Sequence, residues 1–268
     1  MTFKPIPLLA HPLEAPAAFT PEALLEAVRV ARGLPRGDAV PPVCILDFDG
    51  DLTDWLVATG AATPWKSWAC FHTTMQALEV DGTPCGVIPR TIGGPYAALI
   101  AEQLKASRAQ VILGLTSAGR VAASVPVPSL VVATAAIRDE GTSYHYLPAS
   151  RPAVAHAALA NSLLLGLEGF GVPVRSGSVW TTDAPYRETK QQLAEYAQQG
   201  VLAVEMQAAS LFAFAIARSI PVGIVAHVTN AVDHEQTPFD KGSQEFSQRL
   251  LEAICRAAKS FLRGSSAA

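Results

Sequence analysis

Val201-Leu202-Ala203-Val204 is a short apolar run, Glu205-Met206-Gln207 breaks it with polar groups, and Ala208-Ala209-Ser210-Leu211-Phe212-Ala213-Phe214-Ala215-Ile216-Ala217-Arg218 follows. The first run is too short for a helix and reads as a strand. The last is rich in Ala and Phe and apolar all round, which marks a helix buried on every side. A strand that turns at a polar corner into a buried helix belongs to an α/β fold, with helices covering a sheet. No bilayer span fits here, because Glu205, Gln207, Arg218 and Pro221 interrupt residues 201–228.

The alternation continues in both directions. Residues 221–228 read as a strand and 239–262 as a long C-terminal helix. Upstream, 188–198 read as a helix stopped by Gly200, 172–181 as a strand, 152–168 as a helix, and 129–137 and 109–115 as strands. Gly93-Gly94-Pro95 opens a helix reaching Lys105, preceded by a strand over 86–91. A strand over 43–48 leads into the turn Asp49-Gly50-Asp51. Thr20-Pro21-Glu22 has the N-cap, first-turn proline and early acid of a helix start, and that helix stops at Gly33. Residues 52–82, with Trp55, Trp65 and Trp68, follow no clear period. The expected organisation is an N-terminal arm and helix (1–41), one α/β domain (42–262) and a disordered tail (263–268).

Composition narrows the function classes. Half of the 268 residues are hydrophobic, enough for a large core, and only 16% are charged, a lean surface that points to cover by partner subunits. A net charge of −3 without any Lys/Arg run disfavours nucleic acid or an anionic membrane as the main partner. Cys44, Cys70, Cys85 and Cys255 form no C-x-x-C pair, so buried, reduced thiols in a cytoplasmic protein are expected, with no metal. Prolines stand where a signal peptide would need an apolar run in the first residues.

Polar groups gather where strands end. Asp49-Gly50-Asp51, Arg90-Thr91 with Gly93-Gly94, Thr116-Ser117, Arg138-Asp139-Glu140, Thr181-Thr182-Asp183, Glu205-Met206-Gln207 and Thr229-Asn230 each follow an apolar strand. Ligands of α/β folds sit at strand carboxyl ends, so these corners, Gly94, Ser117, Asp183, Met206 and Asn230 above all, are expected to meet in one pocket for a small polar ligand. Gly93-Gly94 either brings helix amides to an anion or sugar oxygen, or serves a tight turn that needs positive φ. No G-x-G-x-x-G, Walker lysine or G-x-S-x-G occurs. His11, His72, His145, His156, His227 and His234 form no assignable triad, and His227, inside an apolar strand, reads as a packed imidazole.

Four strings carry a resemblance. Ile92-Gly93-Gly94-Pro95, Ala136-Ile137-Arg138-Asp139-Glu140-Gly141-Thr142-Ser143, Thr181-Thr182-Asp183-Ala184-Pro185-Tyr186-Arg187-Glu188-Thr189 and Val204-Glu205-Met206-Gln207-Ala208-Ala209 resemble segments of uridine phosphorylases and their nucleoside phosphorylase superfamily, in the same order. The resemblance implies a three-layer α/β domain with a twisted, mixed, partly barrel-like sheet flanked by helices. It implies a homo-oligomer, hexamer or dimer, that splits a nucleoside with inorganic phosphate as co-substrate and no further cofactor.

Position by position, Asn230, Arg187 and Glu205 would be the catalytic groups. Met206 and Gln207 would hold the ribose, with Gln207 capping the helix at Ala208 as its plain alternative. Thr182, Asp183 and Tyr186 would face the base. Gly50, Arg90, Gly93, Gly94, Thr116 and Ser117 would bind phosphate. Three departures stand out. Gln207 replaces a glutamate; an amide cannot accept from both ribose hydroxyls as a carboxylate can. The arginine that normally precedes the phosphate-loop threonine is absent from Ile112-Leu113-Gly114, and the first loop, Asp49-Gly50-Asp51-Leu52-Thr53, also lacks its arginine. Each such contact to phosphate is worth roughly 1.5–3 kcal/mol, so Arg90 or Arg120 must substitute for a phosphorylase. Without a substitute, a hydrolytic nucleosidase or a non-catalytic nucleoside-binding protein is the alternative.

Overall fold

The computed structural model describes residues 6–10, 12–35, 37, 39–231 and 241–265. In chain order it forms α1 (Pro21–Arg32), β1 (Val43–Asp47), α2 (Asp51–Ala58), β2 (Ala62–Pro64), β3 (Gln76–Val80) and β4 (Thr83–Pro89). There follow α3 (Gly94–Ala106), β5 (Val111–Arg120), β6 (Ser129–Asp139), β7 (Ala153–Val154), α4 (Ala157–Gly166) and β8 (Val174–Thr182). The chain continues with α5 (Lys190–Gln198), β9 (Ala203–Glu205), α6 (Ala208–Arg218), β10 (Val222–Ala231) and α7 (Gln244–Ser265).

Period-two alternation in the strands makes the layers. Cys44 and Leu46 of β1 pack with Ile100 and Leu104 of α3 and Phe212 and Phe214 of α6. Their neighbours Val43 and Ile45 pack the other way, with Leu56 of α2, Leu163 of α4 and Leu251 and Ile254 of α7. The sheet thus lies between two helical layers, and α6 is buried along most of its length, as its composition requires.

The sheet closes on itself in part. β10 pairs with both β6 and β5, β5 with β9, β9 with β8 and β8 with β6, a complete ring. From this barrel, β1, β4, β3 and β2 extend as an open wing. Strand direction is mixed: β1, β4, β5 and β10 run parallel, while β6, β8 and β9 run parallel to each other and antiparallel to that group.

Local signals explain most boundaries. Thr20 accepts the Ala23 amide at 3.3 Å, and Gly33 ends α1 with φ of 63°. The segment without a period holds α2 and the hairpin of β2 and β3; α2 is capped from outside its own sequence, because Asp47 at the end of β1 accepts the Thr53 amide at 2.8 Å. β5 runs five residues beyond the expected end at Leu115. α4 begins at Ala157, since Ala153–Val154 pairs with β6. α7 includes Arg263, Gly264 and Ser265, so the helix continues into the stretch expected to be a disordered tail. Phe239, His11 and His234 lie outside the described residues.

Candidate active site

Three recesses adjoin one another through shared wall residues. The central one has a volume of about 470 Å³ and takes Ser117, Ala118 and Gly119 from β5, Glu205 from β9, Met206 behind it and Asn230 from β10. Its outer wall is the turn after β8, with Pro185, Tyr186 and Glu188. Such a volume suits a small organic ligand.

Ser117 also lines a second, acidic cleft with Asp47, Asp49, Asp51, Thr116 and Lys241. Asp47 is buried, accepts from the Gly50 and Thr53 amides and the Thr53 hydroxyl, and is pushed up in pKa by burial, against those hydrogen bonds. Lys241 Nζ stands 3.2 Å from Asp49 and 3.5 Å from Asp51. Burial opposes its charge, yet the two aspartates hold its pKa above the ordinary lysine value. Burial likewise opposes ionisation of Asp51, but a hydrogen bond from Gln244 and the Lys241 charge outweigh it and lower its pKa. Among the described residues no three His, Cys, Asp or Glu side chains are grouped to hold a metal ion.

Glu188 is shared in turn with a third cleft of about 440 Å³, lined by Asp139, Glu140, Thr182, Asp183 and Arg187. Ser117 is thus common to the acidic cleft and the central cavity, and Glu188 to the central cavity and the outer cleft.

The expected site residues separate accordingly. Ser117, Tyr186, Glu205, Met206 and Asn230 line the central cavity, and Thr116 the acidic cleft. Thr182, Asp183 and Arg187 line the outer cleft instead. The physical reason is the alternation of side chains along β8. Thr181 pairs with Glu205 across β8 and β9 and donates to its carboxyl group, so Thr182, on the opposite face, joins Trp180 and Asp139 at the outer cleft. Thr182 Oγ1 accepts the Ala184 amide, and Asp183 accepts the Gly141 amide at 2.9 Å.

The glycines and Arg90 do not line the cavity either. Gly50 has φ of 87°, and a Cβ there would meet Arg90 Cγ at 2.4 Å. Arg90 itself pairs with Asp54 at the surface. Gly93, with φ of 87°, serves the turn into α3. Gly94 is a close approach: a Cβ on it would fall 2.1 Å from Ser210 Oγ.

Glu205 and Gln207 turn inward. Glu205 accepts the Thr181 hydroxyl on one oxygen and the Gln207 and Ala208 amides, at 2.6 and 2.8 Å, on the other. It is thereby the cap of α6, a task the sequence offered to Gln207, whose side chain makes no cap bond. Burial raises the Glu205 pKa to about 7 against these hydrogen bonds. Gln207 is 1% exposed, and its Oε1 accepts the Met206 amide at 3.2 Å, behind the cavity wall.

Two groups escaped the sequence. Lys241 follows a stretch with no motif. Glu188 was within a quoted string, but nothing local shows that it is half-buried and that desolvation raises its pKa to about 7.

Comparison with known proteins decides the family, since residues 42–263 match the model described as "Phosphorylase superfamily". The chain belongs to the phosphorylase superfamily. Guanosine phosphorylase of Halorubrum lacusprofundi is 29% identical to it over 188 residues, 70% of this chain and 78% of that protein. Uridine phosphorylase of Escherichia coli K12 is 25% identical over 204 residues, 71% of this chain and 80% of that protein. Uridine phosphorylase of Thermococcus kodakarensis is 30% identical over 191 residues, 66% of this chain and 68% of that protein. Similarity to nucleoside phosphorylases supports nucleoside phosphorolysis as the general chemistry of this superfamily member. Among its described residues, no helix is long and apolar enough to cross a membrane.

Proposed function

We propose that this protein cleaves the N-glycosidic bond of a nucleoside, with phosphate as the attacking group, to give a free base and ribose 1-phosphate. One observation carries the proposal: the central cavity and a separate polar cleft share Ser117 in their walls, so that a compartment for the nucleophile would adjoin a bound sugar. The cavity would take the nucleoside, with Met206 against the ribose and Tyr186 and Asn230 at the base. Thr116, Ser117 and Lys241 would direct the nucleophile. Holding it in line with C1′ supplies most of the advantage, because the sugar becomes an oxocarbenium-like cation as the base departs. Gln207 would act through Met206, and Glu205 through α6.

A second reading, hydrolysis by water, is favoured by the charge of the cleft. Three aspartates line it against one lysine, and Arg90 is engaged by Asp54. An acidic wall repels a phosphate dianion but accepts a hydrogen bond from water. A panel of purine and pyrimidine nucleosides incubated with and without phosphate separates the two. Turnover that requires phosphate and yields ribose 1-phosphate supports the first reading. Equal rates without phosphate, with free ribose as product, establish the second, and binding without turnover across the panel overturns both.

The same reading takes the chain as a homo-oligomer. Phe19, Phe71, Ile92 and Leu99 are large apolar side chains left exposed, and Phe19 and Leu99 line a common apolar recess.

A further inference from the structure

We propose that Glu188 is the acid that protonates the departing base. The inference rests on the glycosidic reading above. Ser117 is shared between the cavity and the cleft that would deliver the nucleophile, whereas Glu188 lines the cavity but not that cleft. Displacement at C1′ requires nucleophile and leaving group on opposite sides, so the base lies away from that cleft, against the part of the cavity wall that includes Glu188. Asn230, the other side chain expected at the base, has an amide and holds no titratable proton. Cleavage of a nucleoside at neutral pH makes a strongly basic nitrogen anion unless a proton arrives, and a positioned acid is the usual remedy.

Glu188 is free for this task. Among the described residues, its carboxyl group has no hydrogen-bond or ion-pair partner. Its backbone is set by the Pro185 carbonyl and by the Thr189 cap of α5, which hold the turn at the cavity wall. The other carboxyl groups nearby are occupied. Glu205 accepts three protein donors, Asp183 holds the Gly141 amide and Asp139 the Trp180 indole. Arg138 donates to the Leu147, Pro148 and Arg151 carbonyls, Glu140 accepts from Ser143 and Ser210, and Arg187 lines the outer cleft and not the central cavity. Desolvation with no offsetting cation raises the Glu188 pKa to about 7, where a carboxyl group keeps a proton near neutrality and still gives it up.

The step balances simply. The C1′–N bond breaks and its electron pair stays with the base, which takes the Glu188 proton. An oxygen of phosphate or water forms the C1′–O bond and sheds one proton to solvent, and Glu188 regains a proton from solvent.

The test is Glu188→Gln against a series of nucleosides whose bases differ in leaving ability: uridine, 5-fluorouridine, 5-nitrouridine, inosine and 7-methylinosine. The methylated base leaves neutral and needs no proton. The expected result is a loss of about 10²–10⁴-fold in kcat/KM for the poorest leaving groups, and less than about threefold for 7-methylinosine or 5-nitrouridine. An equal loss across the series overturns the assignment. Turnover of none of them by the wild type overturns the glycosidic reading as well, so the two failures are distinct. A second measurement needs no variant. The wild-type rate with the poorest leaving group should fall as pH rises through about 7 and stay level with the best, whereas identical profiles for both overturn the proposal.

Discussion

Glu205 stands at a position where the family resemblance suggested catalysis, and in the structure it lines the central cavity while accepting one hydroxyl and two backbone amides. A fully buried carboxylate that satisfies a hydroxyl and two helix amides is a structural keystone. Glu205→Ala leaves those donors unpaired and should cost roughly 2–4 kcal/mol of stability, measured by urea unfolding. A pH dependence follows as well. The folded protein holds the Glu205 proton up to about 7, while the unfolded chain releases it in the ordinary carboxylate range. The folded state therefore binds more protons between those limits, and this contribution is fully present at low pH and lost as pH rises towards 7. Glu205→Gln should flatten that decline; an unchanged slope from pH 5 to pH 8 shows that another group governs it. Met206 and Asn230, expected at the site because each stands in a polar corner after an apolar strand, both line the central cavity. Glu188 was not legible, because half-burial is a property of the folded turn.

At the scale of elements, the contact between α3 and α6 explains a glycine that sequence left open between ligand approach and a turn. Gly94 lets the start of α3 lie against Ser210, whose hydroxyl donates to Glu140 at 2.6 Å. Gly94→Ala drives a methyl group into that hydrogen bond and should destabilise by roughly 1–3 kcal/mol. Ser210→Ala removes the obstructing oxygen, so the double variant should recover part of the loss in thermal unfolding. Strict additivity of the two changes contradicts the contact. Helix α1 was readable in full, since its Thr20 cap and Gly33 stop are local, and the bounds of α6 followed from composition, whereas the caps of α2 and α6 are carboxyl groups at the ends of the preceding strands, Asp47 and Glu205.

Over the whole molecule, the closed ring of five strands determines what meets. It brings the ends of β5, β9 and β10 to one cavity and sends those of β6 and β8 towards another cleft. Ser117, Met206 and Asn230 meet as the polar corners implied, while Asp183 and Gly94 lie apart from them. The proposed oligomer is a property of this scale too. Sedimentation of the intact chain should give a mass that is a multiple of the monomer's, and Leu99→Asp should lower it. A monomeric wild type at micromolar concentration contradicts the proposal.

The amino-acid sequence by itself determined the α/β class, the order of elements and the polar strand ends, because hydrophobic period, caps and glycine stops act over a few neighbouring residues. Only the tertiary structure decided which of those ends share a cavity, which carboxyl group is left without a partner and where the glycines are crowded. Strand pairing, burial and close approach arise between residues far apart in the chain, and no local pattern encodes them.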